Sequence, residues 1–416
     1  MTDHLCPRDE ADVVEAVRWA AAEHRTLDIA GSGSKLALGR HIQTDLTLEL
    51  KGLSGITLYE PEELVLSAKA GTPIAEIETA IAASSQMMAF EPMDYGPLLG
   101  QPSGAGTLGG LMSCNLAGPR RPSAGAARDH ALGLRAVSGR GEAFKAGGRV
   151  VKNVTGYDLP RGLAGSHGTL AAFTELTIKV LPRPESVETL LVLGLDEAAA
   201  ASVMSAATGS YYDVSGAAHV PAETVARLAA ILPSGAERPV TALRLEGVTP
   251  SILHRRGKLE EMLRPRGELA HLEAAASLAF WQAIRDVTPF ALPPGGDLDA
   301  AKAIWRISVA PMAGAGIGAV LREAGASCLY DWAGGLVWIE MPDAAPRAEI
   351  VRAALAALGG DQSGGHATLI RASRAARAAE DVFQPLDSVT AMLVKKMKDG
   401  FDPSRVLSPG RMYAGI

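Results

Sequence analysis

A short glycine-rich segment carries the first sign of chemistry in this sequence. Gly31-Ser32-Gly33-Ser34-Lys35 follows the apolar stretch Leu27-Asp28-Ile29, which reads as a strand. A glycine-rich turn points successive backbone N–H groups into one concavity, and proteins hold pyrophosphate in this way without many charged side chains. The segment lacks the GxxxxGK[ST] spacing, and Leu36 stands where a dinucleotide fingerprint needs its third glycine. Alone, it is equally compatible with an ordinary glycine turn after a strand.

A literal GxGxxG occurs later, at Gly104-Ala105-Gly106-Thr107-Leu108-Gly109, and Asp129 lies a plausible distance downstream. The Rossmann fingerprint needs a strand before the glycines and a helix after them. Pro97 and Pro102 precede the motif, and Pro119 and Pro122 interrupt the interval before Asp129. Since proline fits neither a central strand nor a helix interior, we reject the Rossmann interpretation.

Two further segments combine glycines with small polar side chains. One runs from Thr107 to Gly118, and the other joins Lys152-Asn153-Val154-Thr155-Gly156-Tyr157-Asp158-Leu159 to Gly165-Ser166-His167-Gly168-Thr169-Leu170. Small residues permit tight turns, which is the simplest explanation of each loop taken separately. Three such loops within about 140 residues, each beside a predicted strand, instead indicate close backbone approach to a flat, extended cofactor with a pyrophosphate in its middle.

Periodicity predicts a mixed set of helices and strands around these loops. Thr72 suits the N-cap of a helix, and Pro73 its first position. Residues 92–129 have no sustained periodicity, which predicts a long loop that is either functional or disordered. The expected elements are a helix over 9–23, strands over 27–29, 46–50 and 64–70, a helix over 72–83, and strands over 134–137 and 176–181.

The middle of the chain repeats a strand–helix–strand pattern with short connections, which predicts antiparallel sheets with helices on one face and two ferredoxin-like halves. The tail adds a helix over 388–399, with Lys395, Lys396 and Lys398 in its last turn and Gly400 as a left-handed cap. The expected strands of the middle region cover 188–194, 212–219, 240–246, 267–273, 303–309, 326–332, 335–341 and 366–371, and the helices cover 197–207, 250–263, 276–287, 315–323 and 346–358.

Composition narrows the classes of function. The 416 residues carry a net charge of -6, which argues against a general nucleic-acid binder, and no run approaches the roughly 18 apolar residues of a membrane span. The start of the sequence is acidic and polar, so we expect no signal peptide.

Cys6, Cys114 and Cys328 are too few and too scattered for an iron–sulfur cluster built from this chain alone. No pair of histidines has the spacing of a zinc site on a helix, so we expect no metal. The cysteines fit a reducing cytoplasm.

The glycine-rich loops, in this order and with this spacing, resemble those of FAD-linked oxidases of the p-cresol methylhydroxylase and vanillyl-alcohol-oxidase type. The resemblance implies an α+β fold: a two-lobed FAD-binding domain over 1–185, a ferredoxin-like cap or substrate domain over 186–375, and a tail over 376–416 that returns to the FAD domain. It also implies non-covalent FAD. The cofactor-binding residues that it implies are Gly31, Ser32, Gly33, Ser34, Lys35, Thr107, Gly109, Gly110, Ser113, Asn115, Gly118, Asp129, Tyr157, Gly165, Ser166, Gly168, Thr169 and Leu170.

Within that family the chain looks most like the E-type subunits of bacterial glycolate oxidase. The segments that carry this likeness are Val151 to Asp158, the strand Trp305-Arg306-Ile307-Ser308-Val309, and the tail from Phe401 to Met412. The likeness implies oxidation of glycolate, or D-lactate, to the 2-oxo acid in a complex with a D-type flavin subunit and an iron–sulfur subunit. It also implies a cytoplasmic location, at the inner membrane through those partners.

Departures from the family bear on which subunit does the chemistry. The D-type subunits have a metal site with a GDGNxH-like segment, and this sequence has no such segment. His167 replaces an acidic residue frequent in the relatives, and Ser408 replaces an asparagine before Pro409-Gly410. No histidine lies within residues 31–35, where covalent attachment of flavin often occurs.

Oxidation of a 2-hydroxy acid needs a base for the hydroxyl proton and a cation for the carboxylate. Arg306 is the first candidate for the carboxylate, followed by Arg285 and Arg371, while Tyr157 or His167 is either the base or a residue lining the flavin ring. Three functions remain open: a catalytic flavoenzyme, a non-catalytic FAD subunit that relays electrons or acts as a scaffold, and a nucleotide-binding regulator.

Overall fold

A computed structural model of the chain describes residues 3–150, 156–232, 238–358 and 364–416. The chain divides into two compact units. The first unit comprises Met1–Ala117, Gly125–Arg183 and Arg377–Ile416, and the second comprises Gly118–Ala124 and Pro184–Ala376. The chain therefore leaves the first unit twice, once for seven residues and once for the whole middle region. None of the helices in the described ranges is long and apolar enough to cross a membrane.

The first unit contains a small parallel sheet and a larger antiparallel one. The small sheet has the order β1-β3-β2, the larger one has the order β4-β5-β9-β7-β8, and β6 pairs with β10. The strands are β1 (Asp3–Leu5), β2 (Leu27–Ala30), β3 (Leu46–Glu49), β4 (Ile56–Glu60), β5 (Val65–Lys69), β6 (Gln86–Met87), β7 (Ala131–Ser138), β8 (Ala143–Gly147), β9 (Ala171–Lys179) and β10 (Leu181–Pro182). The first helices of the chain are α1 (Glu10–Ala22), α2 (Ile74–Ala82), α3 (Leu108–Ser113), α4 (Arg121–Ala124) and α5 (Leu159–Leu163).

Helix α1 has the N-cap and the buried apolar face that its sequence predicts. Asp9 caps its N-terminus by accepting a hydrogen bond from the N–H of Asp12 at 2.9 Å. Val13, Val17 and Ala20 recur at helical spacing and are fully buried in a core cluster that contains residues of both the small and the larger sheet. The predicted helix and the strands beside it are therefore confirmed.

The start of α2 differs from the prediction. Thr72 is not its N-cap, because the Thr72 hydroxyl donates to the carbonyl of Lys69 at 2.7 Å and Pro73 occupies the capping position without a side-chain hydrogen bond. Residues 92–129 also contain more regular structure than the absence of periodicity suggested. Helices α3 and α4 lie in that stretch, and both are too short to give a periodic signal.

The second unit is an eight-stranded antiparallel sheet with helices, in the order β14-β11-β13-β12-β16-β17-β15-β18. Each half of the unit follows the chain order βαββαβ, and each half has its last strand beside its first, which is the ferredoxin-like order. The two predicted ferredoxin-like halves are confirmed. The strands are β11 (Ser186–Leu193), β12 (Val214–Val220), β13 (Val240–Gly247), β14 (Glu268–Leu272), β15 (Ile304–Ser308), β16 (Ser327–Asp331), β17 (Leu336–Glu340) and β18 (His366–Arg371). The helices that follow in the chain are α6 (Glu197–Thr208), α7 (Ala222–Val225), α8 (Thr249–Leu263), α9 (Ala274–Arg285), α10 (Gly314–Glu323), α11 (Ala348–Ala356), α12 (Arg374–Ala379) and α13 (Ser388–Phe401).

The tail returns to the first unit, as the resemblance implies. Leu407 pairs in parallel with Leu27 of β2, and the N–H of Ser408 donates to the carbonyl of Leu27 at 2.8 Å. Helix α13 runs two residues further than predicted, so Gly400 lies inside it and Asp402 takes the C-cap position. Gly400 is therefore not the left-handed cap that the sequence suggested.

Candidate functional site

The loop after β2 forms the floor of a pocket in the first unit. The backbone N–H groups of Ser32, Gly33 and Ser34 find no acceptor among the described residues. Gly33 has a φ of +82°, a conformation that glycine adopts without strain and that turns the chain sharply here. Unpaired N–H groups are costly unless a ligand or water accepts from them. The loop has the form of an anion-binding nest.

The segment 105–110 forms a second wall and approaches the loop very closely. The Ser32 hydroxyl donates to the carbonyl of Ala105. A Cβ atom added at Gly31 would lie 2.4 Å from the Oγ1 of Thr107, and one added at Gly109 would lie 2.8 Å from the Cβ of Ala70. Two of the predicted glycines are therefore required by packing, since any side chain would push the walls apart.

His167 and Cys114 lie together in the third wall, with the Sγ of Cys114 3.8 Å from the Nδ1 of His167. Burial lowers the pKa of His167 to about 4, and the positive charges of Arg411 and Lys35 lower it further in the same direction. Burial raises the pKa of the Cys114 thiol. Both side chains are therefore uncharged at neutral pH, and His167 is a weak base there.

Two cations supply positive potential to the pocket. Lys35 has no carboxylate within ion-pair distance in the described part of the chain, and its Nζ lies 3.3 Å from the hydroxyl of Ser34. Arg411 pairs with Asp28 and also donates from Nη1 to the carbonyls of Leu36 and Leu38, at 3.1 Å each. Arg411 thus ties the tail to the far end of the nest while its charge faces the pocket.

The residues of this pocket fit a dinucleotide cofactor. The pocket is a concave site that opens to solvent, and glycine, serine and threonine residues make up much of its lining. Ser166, immediately before its His167–Gly168 wall, is buried, and its Oγ has no hydrogen-bond partner in the part of the chain that the structure describes. Such a buried hydroxyl is normally satisfied, so it marks a position for a ligand atom or a water molecule. Unpaired amides, Lys35 and a glycine cradle are the groups that a pyrophosphate requires.

The structure brings about half of the predicted cofactor residues together around this pocket. The predicted residues that line it are Gly31, Ser32, Gly33, Ser34, Lys35, Thr107, Gly109, Gly110, Ser113 and Gly168, together with His167. Other predicted residues make local structural contacts. Asn115 accepts from the N–H of Arg128, Asp129 accepts from the N–H of Ala126, and Thr169 donates to the carbonyl of Ser166.

The remaining predicted cofactor residues lie outside the pocket lining. Gly165 has a φ of +84° and donates from its N–H to the carbonyl of Met112, which turns the chain toward His167. Leu170 is a buried core residue, and Gly118 belongs to the second unit. The predicted segment 152–155 lies outside the described residues.

Three of the candidate catalytic residues have different surroundings. His167 lines the pocket, Tyr157 is 90% exposed, and Arg306 lies on β15 in the second unit. The two alternative arginines have structural partners. Arg285 pairs with the adjacent Asp286, and buried Arg371 donates to the carbonyls of Lys302 and Phe290.

Arg306 has a different environment. Its guanidinium lies 4.9 Å from the ring centre of Trp332 and 6.0 Å from that of Trp338. Among the described residues it has no carboxylate partner and no hydrogen bond. It is thus a cation held against apolar walls, and it is the most available of the three arginines for an anionic ligand.

Sequence reasoning missed Arg411 and Cys114 as pocket residues. Arg411 was recognised only as part of the tail that resembles the family, and no local pattern shows that it returns to a loop about 375 residues earlier. The one usable signal was the spacing of Ser408, Pro409 and Gly410, which indicates a tight turn just before it. Cys114 lies in the second glycine-rich segment, and no local pattern distinguishes it there.

Replacing Gly33 with Val is expected to weaken FAD binding about 10- to 100-fold. A Cβ atom there would have 3.4 Å to its nearest neighbour, so the cost comes from forcing a β-branched residue to positive φ, roughly 1–3 kcal/mol. Titration of the apo-protein with FAD, followed by flavin fluorescence, measures the change. Gly162→Val is the matched control, because no atom lies within 4 Å of its added Cβ and its φ is not positive. Equal affinity in both variants would show that the 31–35 loop does not hold the cofactor.

The family match and the relatives of this chain agree with a cofactor-binding site in the first unit. The sequence profile of the family described as "FAD binding domain" matches residues 4–147. The chain is 34% identical to glycolate oxidase subunit GlcE of Escherichia coli (strain K12) over 409 residues, which cover 97% of each chain. It is 31% identical to glycolate oxidase subunit GlcD of Bacillus subtilis (strain 168) over 48% of this chain and 41% of that protein. It is also 32% identical to a D-lactate dehydrogenase of Anaerostipes hadrus over 38% of this chain and 31% of that protein.

Solved structures share the fold. Substrate-bound p-cresol methylhydroxylase superposes with a TM-score of 0.71 at 14% identity, over 99% of this chain and 88% of that one. Alkyldihydroxyacetonephosphate synthase superposes with a TM-score of 0.67 at 15% identity, over 98% of this chain and 75% of that one. The α+β fold of the p-cresol methylhydroxylase type and FAD as the cofactor are therefore established for this sequence.

Proposed function

This chain belongs to the family of the glycolate oxidase subunit GlcE, and from that premise we propose its role in a multi-subunit oxidase. The chain is the FAD-binding subunit of a complex that oxidises glycolate, or D-lactate, to the corresponding 2-oxo acid. Electrons pass from it to a partner subunit. The partners are a D-type flavin subunit and an iron–sulfur subunit, and the location is cytoplasmic, at the inner membrane through those partners. The dispersed cysteines fit a reducing compartment.

The single observation that carries this role is the pocket of the first unit. It combines a nest of amides and the cation Lys35, which have no hydrogen-bonded acceptor and no carboxylate partner, respectively, among the described residues, with a close-packed glycine wall. FAD bound there would supply the redox chemistry. The chain's own residues hold the cofactor, exclude water with Leu38, Leu50 and Phe173, and keep His167 neutral.

Arg306 is the residue that we assign to the substrate carboxylate. The guanidinium is a permanent cation with a planar fork that matches a carboxylate. Its position against Trp332 removes water from one face, which strengthens its attraction for an anion. Arg121, whose guanidinium lies 4.3 Å from the centre of the same ring, adds positive charge to this part of the second unit.

The candidate bases of this chain are poorly suited to remove the substrate's hydroxyl proton, which favours catalysis that depends on a partner subunit. His167, the candidate base in the pocket, has a pKa of about 4, far below the value that suits proton abstraction at neutral pH. Tyr157 is exposed and far less protected from solvent than a catalytic base usually is. We therefore favour a role in which this subunit relays electrons and contributes Arg306 to binding of the substrate carboxylate, while a partner subunit supplies the base, so that the complex as a whole acts as the dehydrogenase.

Stopped-flow mixing with glycolate tests this role. We expect the FAD of the isolated chain to bleach slowly or not at all. In the reconstituted complex, we expect its flavin to be reduced at a rate that accounts for turnover. Arg306→Met in the complex should raise KM for glycolate far more than Arg285→Met, whose parent side chain already pairs with Asp286. Bleaching of the isolated chain at the turnover rate of the complex would make this subunit the catalyst.

A further inference from the structure

The turn that joins β16 to β17 in the second unit holds a tryptophan in a strained backbone conformation. Trp332 has a φ of +53° and Ala333 has a φ of +58°. Left-handed backbone is unfavourable for residues with a Cβ atom, so it persists only where surrounding contacts hold it. Here the N–H of Trp332 donates to the Asp331 carboxylate at 2.7 Å, and its carbonyl accepts from the N–H of Gly335 at 3.0 Å. Strain of this kind is frequent where a side chain must be placed for binding or catalysis.

The indole that this turn places is a common platform for two arginines. Trp332 is buried, and its Nε1 donates to the carbonyl of Gly118 at 3.0 Å. The guanidinium of Arg121 lies 4.3 Å from the ring centre, and that of Arg306 lies 4.9 Å from it. The two guanidinium groups are therefore no farther apart than the sum of these two distances. Because permanent cations repel each other, their convergence on one ring favours a site that an anion completes.

Arg121 reaches this ring because the segment 118–124 is fastened to the second unit, to which it belongs. The neighbouring Arg120 donates from Nε to the carboxylate of Glu246 at 2.9 Å, and both side chains are nearly buried. Burial opposes ionisation of Glu246, but the hydrogen bonds from Arg120 help to outweigh it and to lower the pKa of Glu246 to about 2. This ion pair therefore persists at neutral pH. It holds the segment in place and leaves Arg121 directed at the indole.

We propose that Arg121 joins Arg306 in binding the substrate carboxylate, and that Trp332 is the positioning residue that aligns the two guanidinium groups. This assignment rests on the function proposed above and concerns the same site. The two oxygens of a carboxylate offer several lone pairs, so one carboxylate accepts hydrogen bonds from two guanidinium groups at once. The buried indole keeps water from one side of both cations, which strengthens their attraction for an anion. The ligand class is a 2-hydroxy acid whose carboxylate is bound by two arginines.

Calorimetric titration of the purified, FAD-loaded chain with oxamate tests the role of Arg121 without turnover. Oxamate is a monocarboxylate of similar size to glycolate, and it has no hydroxyl group to oxidise. Arg121→Met should raise the dissociation constant for oxamate about 10-fold, and Arg121→Lys should raise it about 3-fold, because lysine keeps the charge but not the planar fork. Arg238→Met, which breaks an exposed pair with Glu268 in the same unit, is the matched control and should leave the constant unchanged.

Trp332 variants test whether the indole acts through the arginines. In the complex, Trp332→Leu should raise KM for glycolate about 10-fold and change kcat less than about 2-fold, because it removes binding rather than chemistry. In the Trp332→Leu background, Arg121→Met should weaken oxamate binding by less than about 2-fold more, since the guanidinium has already lost the ring that places it. Trp332→Phe keeps an aromatic face and should stay within about 3-fold of the wild type. FAD content and the temperature of flavin release show that each variant is folded.

Distinct outcomes would overturn the two assignments. An unchanged dissociation constant in Arg121→Met would remove Arg121 from the site. The full effect of Arg121→Met in the Trp332→Leu background would show that Trp332 does not position it. A wild-type chain that binds no oxamate would overturn both assignments. Failure of the proposed function looks different: the wild-type complex would oxidise no glycolate while oxamate binding still depended on Arg121 and Arg306, so the anion site would stand and the substrate would be another carboxylic acid.

Discussion

Arg411→Met is expected to produce a chain that purifies largely without FAD, with affinity for the cofactor reduced roughly 100-fold or more. Arg411 is almost completely buried, and it holds the carbonyls of Leu36 and Leu38 as well as Asp28. Removing one partner of a buried ion pair commonly costs about 3–5 kcal/mol, because the other charge remains buried and unpaired. The 31–35 loop would lose the hydrogen bonds that hold the residues just after it, and the pocket would lose one positive charge. Flavin absorbance per chain and a titration of the apo-protein measure the effect.

Companion variants separate the two roles of Arg411. Adding Asp28→Asn to Arg411→Met removes the orphaned charge and should recover stability without recovering FAD affinity. Arg411→Lys should give an intermediate result, because an ammonium group cannot reproduce the planar fork that spans Asp28 and the Leu36 carbonyl. Arg25→Met, which breaks an exposed pair with Asp45, is the control and should retain FAD. Full flavin content in Arg411→Met would refute the role of the tail in the site.

Lys398→Met is expected to be the most destabilising substitution at the junction of the tail and the first unit. The Lys398 ammonium is completely buried and donates to Asp402 at 2.7 Å, to Thr169 at 2.7 Å and to Leu407 at 2.9 Å. Burial lowers its pKa, while the Asp402 carboxylate opposes that shift. Methionine fills a similar volume but leaves Asp402 charged and two carbonyls without a donor. We expect a loss of about 3–5 kcal/mol.

Heating with flavin fluorescence as the signal measures this loss. For a unit of this size, the temperature of flavin release should fall by on the order of 10 °C. Lys395→Met is the matched control on the same helix, because its ion pair with Asp399 is exposed and contributes little. A shift in Lys398→Met no larger than that of the control would mean that the buried network does not hold the tail in place.

The sequence predicted the regular elements well where their periodicity was strong. The helix before β2 has buried residues at helical spacing, and the strand–helix alternation of the middle region is dense enough to reveal both ferredoxin-like halves. Element ends were less certain. Thr72 has the chemistry of a cap but bonds backward to Lys69, and Gly400 has the usual type for a helix end but lies one residue before it. At Thr72 a competing local hydrogen bond prevails over the capping preference, and at the end of α13 the buried contact between Lys398 and Asp402 lies beyond Gly400.

The glycine-rich loops could also be predicted from the sequence, because an anion-binding nest needs particular residue types at adjacent positions. Gly31 and Gly109 prove necessary for close approach of two walls, which is the property inferred from their type. The contribution of Arg411 to the pocket could not be predicted from the sequence, since it depends on a contact between residues about 375 positions apart. Nor did composition indicate that Gly118 and the rest of 118–124 belong to the second unit.

A count of released flavin tests the central claim most directly. The purified chain is denatured by heat, the precipitate is removed, and the flavin in the supernatant is identified and counted against the protein. We expect one FAD per chain, all of it in the supernatant. We also expect flavin-free protein from Gly31→Val, whose side chain would collide with Thr107. A colourless wild-type protein, FMN instead of FAD, or colour that stays with the precipitated chain would contradict the account.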